Sequence, residues 1–165
     1  MWTPDGAHLV YAQGYEGQES LQAVRVRGGR AVGDPFTVLE SFEGRMLTMT
    51  PAGALLSRRQ VGGGNFTHVL DRRPGSSSRL VTFEGFGASW SPDGRAVAFV
   101  RNRGNDVVVI VRDVSTGEER SFVKSGLLSA ITPQWTADGS ALLLQGRGEG
   151  IPTSFHRLDI RSGAS

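Results

Sequence analysis

Apolar residues along this chain fall in short runs and alternations separated by polar turns, a pattern typical of β-strands. Residues 95–100 and 107–111 are the clearest runs, and the polar turn 102–106 separates them. The second run is almost entirely β-branched, which favours a buried strand. Helical spacing of apolar residues is not seen in the sequence, so the pattern predicts a chain that is nearly all β.

A tight turn precedes these two strands, and the rest of the sequence is organised around it. In residues 89–94, Pro92 presets the backbone angle φ, Asp93 can bond its own backbone, and Gly94 supplies a positive φ. A third turn at 113–117 leads to a strand candidate at 119–123. Together these elements predict one antiparallel meander of about four strands.

The same turn recurs along the chain, beginning at residues 2, 49, 90 and 135. The copy at 49 is degenerate, with Met49 in place of Trp and Ala52 in place of Asp, and Ala137 replaces Pro in the last copy. Intervals of about 40 to 50 residues with several short strands each are typical of propeller blades. The predicted strands cover residues 7–12, 21–26, 36–39, 54–57, 67–70, 80–83, 95–100, 107–111, 120–123, 141–144 and 154–158.

These repeats predict an all-β partial β-propeller of about four four-stranded antiparallel blades. We expect blades at about residues 1–40, 41–84, 85–126 and 127–165, in a single segment of a larger propeller. Little strand precedes Trp2 and no outer strand follows the last copy, so we expect an open, association-prone arc. Trp90 should be among the most buried aromatic residues. The other expected core residues are Leu9, Tyr11, Val97, Phe99, Val108, Ile110 and Leu142.

Composition narrows the classes of function. The 165 residues contain no Cys, which excludes disulfides and thiolate metal sites, and the net charge is only +2. Arg residues are scattered among 16 acidic residues, which predicts a solvated surface and no nucleic-acid partner. No apolar run reaches the length of a membrane span, so we expect no membrane insertion. No signal peptide is visible either, because residues 2–6 already read as a turn.

The Trp and Asp residues could carry chemistry, but a structural role is the simpler interpretation of each. The three Trp residues end inner strands, where a large ring packs between blades. Carboxylates beside a turn Gly are predicted to hold that turn, as at Asp5, Asp93 and Asp138. A second set is predicted to cap the turns at strand ends: Asp71, Asp113 and Asp159.

The remaining candidates do not combine into a reactive site. His8, His68 and His156 occupy non-equivalent strand positions without metal-ligand spacing, so we interpret them as packing residues. No Gly-x-Ser-x-Gly elbow occurs, and residues 146–150 lack the Lys-Ser/Thr of a phosphate loop. Arg101 and Arg103 flank a turn, where a basic pair is weak support for an anion site. The sequence therefore predicts no catalytic, cofactor-binding or metal-ligating residue, and no cofactor.

The Trp-Ser/Thr-Pro-Asp-Gly turn, its following strands and the Asp-x-x-Thr-Gly-Glu turn at 113–118 resemble the WD-like propeller repeat of the TolB family. The resemblance covers nearly the whole chain and is strongest over residues 89–122. It implies a non-catalytic scaffold that binds a protein or a ligand, with another protein or further blades as partner. It also suggests a periplasmic or other extracytoplasmic location, which the residues themselves leave unknown.

A second interpretation stays open at the level of sequence. Repeats of this kind also form the gating propeller of prolyl-oligopeptidase-type serine peptidases, whose hydrolase domain would lie outside this chain. A Gly-x-Ser-x-Gly motif downstream in a longer reading frame would favour the peptidase. A signal peptide without such a domain would favour the binding scaffold.

Overall fold

The computed structural model describes residues 1–15, 18–71, 79–104, 106–123, 127–130, 132–148 and 151–162. Over these ranges the chain forms fifteen β-strands in four antiparallel sheets, and they contain no helix. The predicted all-β partial propeller is confirmed. Each strand predicted from the sequence overlaps an observed strand, because turn residues bound nearly every apolar run.

The first two sheets follow one another along the chain. The first has the order β1-β2-β3, over His8–Tyr15, Gln18–Arg27 and Arg30–Phe42, and an isolated bridge joins Trp2 to Leu9 of β1. The second has the order β4-β5-β6-β7. Its strands span Arg45–Met49, Leu55–Val61, Gly64–Asp71 and Arg79–Glu84.

The third and fourth sheets complete the described chain. The third has the order β11-β10-β9-β8, with β8 at Phe86–Trp90, β9 at Ala96–Arg103, β10 at Asp106–Asp113 and β11 at Glu119–Val123. In the fourth, β14 pairs with three strands, β12, β13 and β15. Those four strands span Leu127–Ala130 (β12), Gln134–Trp135 (β13), Ala141–Gly148 (β14) and Ile151–Asp159 (β15).

The chain divides into two compact units, each with its own apolar core. The first comprises residues 1–60 and 68–81, and the second comprises 61–67 and 82–165. The core cluster of the first contains Val10, Leu21, Ala23, Phe42, Leu55 and Leu70. The largest cluster of the second contains Ala98, Val109, Val111, Leu142, Leu144, Leu158 and Ile160. Removing these side chains from water supplies the main favourable term in folding.

The recurring turn has the same hydrogen bonds in three of its four copies. In the third sheet, Gly94 N donates to Ser91 O at 2.9 Å, and Ser91 Oγ donates to Asp93 Oδ1 at 2.6 Å. The turns that begin at Thr3 and Thr136 repeat both bonds. The predicted turn-holding role of these Asp residues is therefore confirmed. The degenerate copy, which carries Ala52, keeps the bonds that its backbone donates to Thr50.

The carboxylates at two strand ends also cap their turns as predicted. Asp113 Oδ1 accepts hydrogen bonds from Ser115 N at 2.8 Å and Thr116 N at 2.9 Å. Asp159 Oδ1 accepts from Arg161 N at 3.0 Å and Ser162 N at 2.8 Å. The side chain of the third predicted cap, Asp71, lies outside the described residues.

The predicted core is right for β9, β10 and β14 and wrong for β1 and for Trp90 at the end of β8. Five of its residues are buried, namely Val97, Phe99, Val108, Ile110 and Leu142. Leu9 and Tyr11 are only half-buried, because they alternate with Val10, which points into the core cluster of the first unit. Trp90 is also half-buried, because it ends β8 beside an exposed turn. The buried aromatic residues among those described are Phe42, Phe83 and Phe99.

Candidate functional site

A cleft of about 290 Å³ opens in the first unit. One side comes from the end of β3 and the residue after it, and the other side comes from β5, β6 and β7. The described residues that line it are Leu39, Ser41, Phe42, Glu43, Leu55, Ser57, Arg59, His68, Leu70 and Leu80. The cleft is therefore built mainly on strands, which hold side chains more rigidly than loops do.

Strand alternation places the polar and apolar lining residues on one face. Successive side chains of a strand point to opposite faces, so Leu55, Ser57 and Arg59 of β5 share a face. The same rule places His68 and Leu70 together on β6. All five line the cleft. Each strand thus contributes an apolar residue toward one end of the cleft and a polar residue toward the other.

The inner part of the cleft is apolar and well covered. Phe42, Leu55 and Leu70 are all buried and belong to the core cluster of the first unit. Leu39 packs against the same cluster, whereas Leu80 stays exposed at the rim. An apolar ligand group in this space would displace water from leucine and phenylalanine side chains, which favours binding.

A charged pair stands at the polar end of the cleft. Arg59 Nη2 forms an ion pair with Glu43 Oε2, and the two side chains are 40% and 36% exposed. The pair is therefore open to solvent and to a ligand. Ser57 lies between the pair and the apolar part along β5, and it is almost fully buried at 5% exposure.

His68 adds an imidazole that is neutral at neutral pH. Its pKa is lowered from the ordinary 6.5, first because partial burial disfavours the charged ring and second because of the nearby Arg59 cation. Glu43 opposes this shift, but its effect is the smallest of the three. At neutral pH the polar end thus carries one positive charge, one negative charge and one neutral ring.

Sequence reasoning identified one member of this group and missed its partners. It interpreted His68 as a packing residue, whereas the structure brings it together with Glu43, Arg59 and Ser57 in one cleft. Glu43 comes before β4, and Arg59 and His68 lie on the consecutive strands β5 and β6, but no sequence motif connects the three. The sequence did indicate that Leu55, Ser57 and Arg59 share one face of a strand. It did not indicate which residues lie opposite that face.

The other candidate residues take part in packing and local bonding. His8 packs edge-to-face on Phe36 with ring centroids 5.9 Å apart, and His156 Nε2 lies 2.9 Å from Ser154 Oγ. Trp135 packs on the main core cluster of the second unit and donates its indole N–H to Ser89 O at 3.3 Å. Trp2, by contrast, is 54% exposed. Residues 149 and 150 of the Gly-rich loop lie outside the described residues.

The predicted Arg101–Arg103 pair does not act as a unit. The Arg101 guanidinium donates to Glu84 O at 3.1 Å and pairs with Glu119 Oε2 at 3.2 Å. Arg112 donates to the same carboxylate, with Nη1 2.8 Å from Glu119 Oε1. The Arg101 guanidinium is therefore already bonded to Glu84 and Glu119, while Arg103 is exposed at the end of β9.

Three carboxylates line a wider depression in the second unit, those of Asp93, Asp113 and Asp138. Hydrogen bonds from hydroxyl and backbone groups of their own turns lower the pKa of each, and for Asp138, with the Thr136 hydroxyl first, to about 2. These carboxylates therefore accept the hydrogen bonds that hold their own turns. Within the described ranges, no group of three or more His, Asp or Glu side chains is placed to hold a metal ion.

No protein-family model and no curated protein matches the chain. Among solved structures, TolB from Acinetobacter baumannii aligns with 99% of it at 21% sequence identity and a TM-score of 0.67. A TolB candidate from Agrobacterium tumefaciens aligns with 99% of it at 19% identity and a TM-score of 0.63. The chain has a TolB-like β-propeller fold. This TolB-like chain spans 41% and 58% of the lengths of those two structures.

A third likeness shows how widely the fold is used. A 6-phosphogluconolactonase candidate from Bacteroides uniformis aligns with 97% of the TolB-like chain at 12% identity and a TM-score of 0.52, and the chain spans 54% of its length. One fold can carry unrelated functions, so these likenesses establish the architecture and leave the function to the site. Among the described residues, no helical segment has the length and hydropathy that crossing a bilayer requires.

Proposed function

We propose that this chain is a non-catalytic binding scaffold of TolB-like type, and that the cleft of the first unit is its ligand site. One observation carries the proposal: an apolar recess and a solvent-open Arg59–Glu43 pair meet in a single cleft. Concave, mostly apolar sites with a few placed polar groups are the usual form of small-molecule sites. Propeller strands supply the rigidity that such a site needs.

A ligand-mapping experiment tests the binding function. A library of small amphipathic fragments would be titrated into isotope-labelled protein while backbone amide resonances are followed by NMR. We expect a subset of fragments to shift amides of Ser57, Arg59, His68 and Leu70, which lie on the two central strands of the cleft. Amides of Ser115 and Thr116, in a turn of the second unit, serve as the reference that should not move. Shifts confined to sites elsewhere would refute the proposal.

The proposal that the chain is non-catalytic needs a separate test, because the cleft also contains a serine, a histidine and a carboxylate. We expect no turnover of p-nitrophenyl esters, peptides or glycosides by the purified chain. Hydrolysis that survives repurification and is lost in both Ser57→Ala and His68→Gln would overturn this part and make the cleft a hydrolytic site.

The proposal also covers the larger protein to which the chain belongs and its location in the cell. The chain would be one segment of a larger propeller, with blades near residues 1–40, 41–84, 85–126 and 127–165, whose partner is another protein or its own further blades. An extracytoplasmic location is proposed as well, and its support is the TolB-like character alone. Fractionation of cells that produce the native protein, with its mass measured on the gel, tests both points. A cytoplasmic product of 17.7 kDa would contradict them.

A further inference from the structure

The polar end of the cleft is a matched pair of opposite charges. Arg59 and Glu43 neutralise each other, and both are more than a third exposed. A ligand that carried only a negative charge would place that charge beside the Glu43 carboxylate, because Glu43 is in contact with Arg59. A purely cationic ligand would stand beside the Arg59 guanidinium in the same way. Like charges held side by side repel each other, so neither kind of ligand suits the pair.

A ligand with both charges side by side avoids this cost. Its anionic group can accept hydrogen bonds from the Arg59 fork while its cationic group donates to Glu43, so both protein charges stay paired. His68, neutral at neutral pH, adds no net charge to disturb the balance. The chemistry of the polar end therefore selects a zwitterion in which the two charges are close together.

The apolar end of the cleft determines the side chain and the size of the ligand. Phe42, Leu55 and Leu70 offer a buried aliphatic and aromatic surface next to Ser57 and His68 in the same cleft. The volume of about 290 Å³ lies at the lower end of small-molecule sites, which is suited to a molecule the size of one amino acid. From this geometry we infer that the cleft binds a small α-amino acid with an apolar side chain, an inference that rests on the proposed function and specifies its ligand class.

Isothermal titration calorimetry with four related probes tests this inference on the intact chain. L-leucine has both charges and an apolar body, 4-methylpentanoate lacks the ammonium group, 3-methylbutylamine lacks the carboxylate, and glycine lacks the side chain. We expect saturable binding of L-leucine at neutral pH. Each of the other three probes should bind at least about tenfold more weakly, which corresponds to the loss of one charge-assisted contact or of the buried side chain.

Three variants separate a specific site from non-specific binding. Arg59→Gln and Glu43→Gln should each weaken L-leucine binding by at least about tenfold, since each removes one half of the recognition pair. Arg58→Gln is the matched control, because Arg58 is an exposed neighbour on the opposite face of β5. It should leave the affinity unchanged. Thermal melts of all three variants check that the fold is retained.

The outcomes distinguish failure of this inference from failure of the proposed function. Binding of 4-methylpentanoate as tight as that of L-leucine, and unaffected by Glu43→Gln, would overturn the zwitterion inference and leave the cleft as a binding site for apolar anions. Leucine binding that survives both Arg59→Gln and Glu43→Gln would also overturn it. If no probe binds, the zwitterion inference is overturned, and an additional absence of cleft shifts with the fragment library would overturn the proposed function as well.

Discussion

At the residue scale, His68 was predicted from the sequence to be a packing residue, but its neighbours in the structure change its pKa. Burial and the Arg59 cation lower its pKa in the folded chain, while the unfolded chain keeps the ordinary value of 6.5. As pH falls below about 6.5, the unfolded state therefore takes up the proton first. Folding stability should accordingly decrease as pH falls through this window, and it should be fully present above it.

Thermal melts between pH 7.5 and pH 5.5 check this prediction. The wild-type chain should lose melting temperature toward pH 5.5, and His68→Gln should flatten that part of the profile because glutamine does not titrate. His156→Gln, which changes a histidine bonded to Ser154 in the other unit, is the control and should keep the wild-type slope. A slope that is unchanged in His68→Gln would show that the pH dependence has another origin.

Aromatic burial gives a second prediction at this scale. Phe99 is fully buried and packs on Phe83 with ring centroids 4.4 Å apart, whereas Trp90 is only half-buried. Phe99→Ala should lower the free energy of unfolding by about 3–5 kcal/mol through the cavity it leaves, and Trp90→Ala should cost less. Denaturant unfolding of the two variants provides the comparison. A larger loss for Trp90→Ala would restore the sequence-based ranking and contradict the structure.

At the element scale, the glycine at the start of the third sheet fixes how β7 passes into β8. Gly85 has a φ of +150°, its N–H donates to Asn65 O at 2.8 Å, and its carbonyl accepts from Thr67 Oγ1 at 3.0 Å. A Cβ at this position would overlap the Phe99 ring. Gly85→Ala should therefore destabilise the chain by about 3 kcal/mol, from overpacking together with backbone strain.

The control for this prediction is a glycine that also has a positive φ but has free space around it. Gly104 has a φ of +61° in the β9–β10 hairpin, and an added Cβ there would meet no atom within 4 Å. Gly104→Ala should cost only about 1 kcal/mol from strain. Equal losses in the two variants, measured by denaturant unfolding, would mean that the Phe99 contact adds nothing.

Elements were predictable from sequence because local chemistry determines them. The turns at Asp93 and Asp138 combine proline or alanine, a carboxylate and a glycine in an order that needs no distant partner. The cleft was not predictable in the same way. Glu43 and Arg59 meet because β4 pairs with β5 with Arg45 opposite Arg58, which brings Glu43, two residues before Arg45, beside Arg59. Strand alternation gives the face of a residue, but it does not give the register with the neighbouring strand.

At the scale of the whole molecule, the chain is four antiparallel sheets in a TolB-like propeller fold, and its proposed role rests on one cleft in one of its two units. Several large apolar side chains remain exposed, among them Phe155 at 78% and Leu80 at 55%. Such surface is consistent with a segment that joins further blades, a partner, or both. The proposed binding in the cleft requires neither further blades nor a partner, because all the described residues that line the cleft belong to the first unit.

A crystal structure of the chain at saturating L-leucine tests this account most directly. It should show the four sheets, with the leucine side chain against Leu55 and Leu70, its carboxylate on the Arg59 guanidinium and its ammonium on Glu43. Under the same conditions, Arg59→Gln crystals should show no leucine in the cleft. An empty cleft in the wild-type crystals, or leucine bound only at another surface, would contradict the assignment of this cleft as the binding site.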